Sequence, residues 1–112
     1  MTKTELLGVK RGRLFEKSTP QTGEHFSLLH QGKGVRIEEI TSSSSLDGKT
    51  YVQAHDEWVV LLRGRAELAV ADDMIALEAG DWIFLPAQVP HRILFTECDS
   101  VWLAVHSEPS KN

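Results

Sequence analysis

From residue 34 onward the chain reads as short apolar and β-branched runs cut by turn residues. The runs are Val35–Ile40, Thr50–Gln53, Glu57–Arg63, Arg65–Ala71, Met74–Leu77, Trp82–Leu85, His91–Thr96 and Val101–His106. Between them lie Ser42–Gly48, Gly64, Asp72–Asp73, Ala79–Gly80, Pro86–Pro90 and Glu97–Ser100. No run carries a helical period, and many short strands at regular spacing predict an all-β sandwich or barrel. Residues 1–33 are mixed, with Gly8, Gly12, Pro20, Gly23 and Gly32 breaking up pairs such as Leu14–Phe15. One domain is expected over 1–112. Residues 34–107 would form the barrel, 1–33 a segment packed on it and 108–112 a disordered tail.

Successive strand side chains point to opposite sides, so alternation sorts each run into two sets. In Glu57–Arg63 they are Glu57, Val59, Leu61 and Trp58, Val60, Leu62; in Trp82–Leu85 they are Ile83, Leu85 and Trp82, Phe84. The last run splits into Val101, Leu103, Val105 and Trp102, Ala104, His106, with the second set read as outward. Both sets are apolar in all three runs, the pattern of strands covered on both faces.

At 112 residues there is room for one core and no second domain. A formal charge of -4 gives no basic face for nucleic acid. Cys98 is the only cysteine, which excludes an internal disulfide and CxxC-type metal sites. The acidic neighbours Glu97 and Asp99 argue against a reactive thiolate there. The stretch MTKTELLGVKRGRLFEK has no apolar signal-peptide core, and no run approaches a membrane span. A cytoplasmic protein without nucleic-acid or membrane partners is expected. No nucleophile elbow, phosphate loop or dinucleotide fingerprint is present.

Two segments carry the candidate chemistry: Tyr51-Val-Gln-Ala-His-Asp-Glu57 and Gly80-Asp-Trp-Ile-Phe-Leu-Pro86-Ala-Gln-Val-Pro90-His91. They resemble the two motifs of the cupin superfamily, G-x5-H-x-H-x3,4-E-x6-G and G-x5-P-x-G-x2-H-x3-N. Glu57 and Gly64 keep the first motif's spacing, while Tyr51 and Gln53 fill its two histidine positions. Gly80, Pro86 and His91 match the second, with Gln88 in place of its glycine and Phe95 in place of its asparagine. Tyr51, Gln53, Glu57, Trp58 and Gly64, the Pro90-His91-Arg92 run and the closing Trp102–His106 look like a group of small single-domain cupins of undefined function. The resemblance implies a double-stranded β-helix, the jelly-roll barrel, with a pocket at its mouth.

In typical cupins the two histidines, the glutamate and the second-motif histidine ligate a divalent metal. Carried over, the set here is a phenol, an amide, a carboxylate and an imidazole from Tyr51, Gln53, Glu57 and His91. Two imidazoles are lost, and an amide oxygen is a much weaker donor. A Gln53–Glu57–His91 trio holding one Zn, Fe, Ni or Mn ion stays open beside a metal-free pocket in which Glu57 pairs with His91 or Tyr51. The function expected is small-molecule binding through these four residues. The alternative is a metal-dependent enzyme of dioxygenase or isomerase type, with Tyr51, Glu57 and His91 as catalytic candidates. His55 is read as an exposed turn residue, His25 and His30 lie outside both motifs, and Arg36 and Arg92 are read as solvated.

The jelly-roll order also makes the runs at 57–63, 81–86 and 101–106 neighbours. Their outward sets would then gather Trp58, Val60, Leu62, Trp82, Phe84, Trp102 and Ala104 into one patch. Four large aromatics exceed what a soluble monomer usually exposes. A homodimer through this face is expected, with residues 1–33 as the rival cover.

Overall fold

The computed structural model describes residues 1–110. One helical turn, α1 (Lys3–Leu6), is followed by nine strands: β1 (Glu24–Gly32), β2 (Val35–Ser42), β3 (Thr50–Tyr51), β4 (Asp56–Arg63), β5 (Arg65–Val70), β6 (Asp73–Glu78), β7 (Trp82–Leu85), β8 (His91–Thr96) and β9 (Ser100–Ser107). They form a five-stranded sheet, β1-β2-β9-β4-β7, and a four-stranded sheet, β3-β8-β5-β6. Every pairing is antiparallel. Ile40, Val59, Leu61, Trp102 and Ala104 from the first sheet meet Ala66, Leu68 and Leu77 from the second in one buried cluster. The two sheets therefore pack face to face as a jelly-roll barrel.

The first strand lies where the sequence pointed to a packing segment. Residues Glu24–Gly32 pair along β2 and extend the sheet, because His25, Ser27 and their neighbours find partners across a long ladder. Only the part before Glu24 is an arm. It is tied down by Phe15, whose N–H donates to Glu39 Oε2 at 2.8 Å and whose ring lies 4.5 Å from the Arg63 guanidinium, and by Thr19 on Asp99. The end of the chain is also held: Glu108 donates its N–H to Gly34, and Ser110 binds Asp56. These contacts fall within the segment expected as a disordered tail; Lys111 and Asn112 lie outside the described residues.

A second correction concerns β9. Val59 stands opposite Ala104, and Leu61 opposite Trp102. This register puts Trp102, Ala104 and His106 on the inner face, where all three are buried. Alternation fixes which residues share a side; it does not fix which side faces in when both are apolar. The outward aromatic patch is therefore smaller, with Trp58, Val60, Trp82 and Phe84 and without Trp102. Trp58 and Trp82 lie with ring centres 6.0 Å apart, and Trp82 is 61% exposed.

Gly64 makes the abrupt turn from β4 to β5 at φ +93°, and a Cβ there would fall on the buried Ser100 hydroxyl. Left-handed backbone costs a non-glycine residue about 1–2 kcal/mol, and overpacking adds about 1–3. Gly64→Ala is expected to lower the unfolding free energy by about 2–4 kcal/mol in urea titration, at unchanged m-value.

Candidate functional site

Pairing β2 with β9 and β9 with β4 sets Arg36, His106 and Glu57 in one row across the inner face. One residue pair deeper, Glu38 and Val59 flank Ala104; deeper still, Ile40 and Leu61 flank Trp102. The wall thus grades from charged to apolar. Across from it, Tyr51 on β3 pairs with His91 on β8, and their rings stack at 5.9 Å and 23°. Between the walls lies a cavity of about 350 Å³, the lower end of the range for small-molecule sites.

Tyr51, Gln53, Glu57 and His91 all line this cavity. Two contacts fasten the loops that carry them. Gln88 N–H donates to Gln53 O at 2.7 Å, and the Asp56 carboxylate accepts from Ala87 N–H at 2.8 Å. Gln88, at the position of the motif's glycine, takes φ +71°. The turn keeps the left-handed geometry that a glycine would supply at no steric cost. Asp56 also accepts from Ser110, and the Ala87 amide with Ser110 holds its carboxyl below the usual range.

Sequence reasoning missed four further ionisable residues of the cavity. Arg36, read as solvated, lines it, as do Glu24, Glu38 and His106. His106, read as outward, is 7% exposed and bonded on both ring nitrogens: its Nε2 lies 2.8 Å from Glu38 Oε1 and its Nδ1 2.8 Å from His55 Nε2. A carboxylate only accepts, so Nε2 carries the hydrogen. In the neutral ring Nδ1 then accepts from His55. His55 is accordingly half-buried and partnered, not a free turn residue. The inward parity of Arg36, Glu38 and Ile40 along β2 was the available signal. Arg92, by contrast, is exposed as read.

The remaining polar groups have assignable states. The His91 Nδ1 points at Val89 O, 3.3 Å away, so it is the donor and Nε2 keeps its lone pair for the cavity. Burial pushes the Tyr51 hydroxyl up, helped by Asp47 and Glu24, so it stays a neutral donor. Deeper in, Trp102 Nε1–H donates to Ser42 Oγ, which donates to Glu24 Oε2 at 2.6 Å. Burial raises Glu24, against the Ser42 bond, and the charges of Glu57, Asp47 and Glu38 add to it.

The donor set fits a metal ion poorly. No three His, Cys, Asp or Glu side chains among the described residues stand close enough to hold one. The four motif positions offer one imidazole and one carboxylate, the rest being a neutral phenol and an amide.

His55 is held below its ordinary value by burial first, then by His106 and Arg36. Just under pH 6.5 the unfolded chain therefore binds a proton that the folded chain refuses, and stability falls as pH falls. Glu24, raised above 4.5, contributes the opposite slope, which cancels when two proteins sharing it are compared. The stability of the native protein relative to His55→Gln is expected to drop from about pH 7.5 to about pH 5.5, as read by chemical denaturation.

Comparison with known proteins bears on this geometry. The family model for the cupin domain matches residues 44–106. The crystal structure of a "putative mannose-6-phosphate isomerase" from Ralstonia eutropha JMP134 is 34% identical with a TM-score of 0.80, covering 89% of this chain and 99% of that one. An RmlC-like cupin from Desulfovibrio desulfuricans is 19% identical with a TM-score of 0.76, covering 91% and 99%. KdgF from Halomonas sp. is 18% identical with a TM-score of 0.71, covering 80% and 82%, a likeness of fold alone. No curated protein sequence matches. The matched family model spans both motif segments and most of the barrel, and the chain belongs to the cupin family.

Proposed function

We propose that this cupin binds a small polar molecule in the barrel pocket, through Tyr51, Gln53, Glu57 and His91, without a resident metal. The observation that carries the reading is the shared cavity: four residues from two motifs and three parts of the chain line it above an apolar floor. Tyr51 offers a hydroxyl donor, Glu57 an acceptor, His91 Nε2 a lone pair and Gln53 both kinds of group. Ile40, Leu68, Leu85, Ile93 and Trp102 supply the apolar contact. Convergent polar groups over an apolar floor are the usual make-up of a small-molecule site. A phosphate-bearing substrate of the kind in the Ralstonia protein's name would meet Glu24, Glu38 and Glu57 against the single guanidinium of Arg36.

The free His91 Nε2 favours a second reading, a metal-dependent enzyme of dioxygenase or isomerase type with Gln53, Glu57 and His91 around one divalent ion. No helix of the described residues is long and apolar enough to cross a membrane. The single exposed Cys98 suits a reducing compartment, and we place the chain in the cytoplasm. For assembly we propose a homodimer through the outward face of β4 and β7. Trp82 and Phe84 are exposed there beside Trp58, on a sheet edge that no strand of the described residues covers.

Elemental analysis of protein purified without chelator or nickel resin separates the two readings of the pocket. Metal well below one equivalent is the expected result. About one equivalent of Zn, Fe, Ni or Mn, lost in both Glu57→Ala and His91→Ala, would establish the second. Light scattering at micromolar concentration is expected to give the dimer mass, and Trp82→Glu the monomer mass, because the variant would bury an unpaired charge. A monomeric native protein would sink the dimer.

A further inference from the structure

Glu57 is 8% exposed and lines the cavity; its carboxylate has no hydrogen bond or ion pair among the described residues, and its oxygens open into the cavity, since Glu39 Oε1 is the one fully buried side-chain oxygen or nitrogen left unpartnered there. Buried charges are normally paired. No neighbouring imidazole or guanidinium donates to it in the structure. His106, beside it in the row, spends both ring nitrogens on Glu38 and His55. His91 gives its Nδ1 hydrogen to Val89. Arg36 is turned to Glu38, with 3.9 Å between Nε and Oε2.

Resting on the pocket reading above, we propose that the ligand is an organic cation, an ammonium group on a small apolar body. Glu57 is its first counter-charge, and Glu38 and Glu24 stand further along the same wall.

Three carboxylates face the cavity and one guanidinium answers them. Setting the imidazoles aside, the balance is three negative against one positive, two negative overall. Burial first, and then the charges of Glu57, Asp47 and Glu38, raise the Glu24 carboxyl against its Ser42 bond. The carboxylates also stand at different levels. Glu57 is level with His106, Glu38 with Ala104, and Glu24 with Ser42. A divalent ion needs its ligands around one point, and no such group of three exists among the described residues. Charge spread along a wall suits a molecule that has length. The floor fits the rest of it: Ile40, Leu68 and Ile93 accept an apolar body, and the Trp102 ring is a surface that attracts an ammonium group, as the Tyr51 ring, stacked on His91, already does for Lys49 at 5.4 Å.

Phenethylamine, 2-phenylethanol and phenylacetate share a skeleton and differ in charge. Each is titrated at neutral pH into the full-length protein, with amide chemical shifts and tryptophan emission as readouts. The amine is expected to bind at least tenfold more tightly than the alcohol, and phenylacetate more weakly than either. Glu57→Gln is expected to lower amine affinity at least about tenfold more than alcohol affinity, so that the preference disappears. Should Glu57→Gln fail to fold, Glu24→Gln takes its place, with loss of amine affinity of at least about threefold. Phenylacetate binding as tightly as the amine, or an amine preference untouched by the carboxylate variants, overturns the cationic ligand while leaving the pocket standing. Amine binding that leaves the Gln53, Glu57 and His91 amides unmoved overturns both. Absence of amine binding up to millimolar concentration overturns the cation proposal.

Discussion

The register between β4 and β9 decides what the interior of this barrel is. Val59 opposite Ala104 and Glu57 opposite His106 put two acidic or basic groups and two small apolar ones on the same side. A slip of one residue would send Glu57 outward and bring Trp58 in. The row then continues without adjustment into Arg36 on β2 and Leu85 on β7. The gradient from charged mouth to apolar floor is a consequence of this one alignment. It is held by a long hydrogen-bond ladder, and no single contact is indispensable to it.

The polar half of the pocket is expensive and is built accordingly. Glu38, Glu57, Asp56 and His106 are all buried. Three of them are matched: Asp56 to Ala87 and Ser110, Glu38 to His106, and His106 to His55 as well. These bonds set tautomers and fix loops, which a solvated mouth would leave to fluctuate. The outer face shows the same economy at Glu39, buried at 1% exposure with Oε2 on Phe15 N–H and Oε1 unpartnered. That carboxylate is what the N-terminal arm is fastened to.

Much of this was legible in the residues. Strand positions from Val35 onward followed from run length and turn residues, because short strands between Gly, Pro, Asp and Ser leave few other readings. Glu57 and His91 were placed inward correctly, since a motif spacing fixes parity where a polar residue stands among apolar ones. The last strand was misread for the opposite reason: Val101–His106 is apolar on both sides, so its alternation carried no direction. β1 was missed because its exposed Phe26, Leu28 and Leu29 alternate with nothing recognisably buried. The His55–His106–Glu38 chain was out of reach, as it joins residues 51 and 68 positions apart. Gln88 at φ +71° shows the reverse case, in which the backbone kept a shape that the side chain alone would not have announced.

The three tryptophans are divided between two environments. Trp58 and Trp82 belong to the outer face, whereas Trp102 is 3% exposed, forms part of the pocket floor and gives its indole hydrogen to Ser42, which passes the contact on to Glu24. An indole fixed in an apolar, hydrogen-bonded site emits at shorter wavelength than one in water, and a soluble quencher reaches it last. The chain therefore carries an intrinsic optical probe at the base of its own cavity, linked through one hydroxyl to the acidic wall.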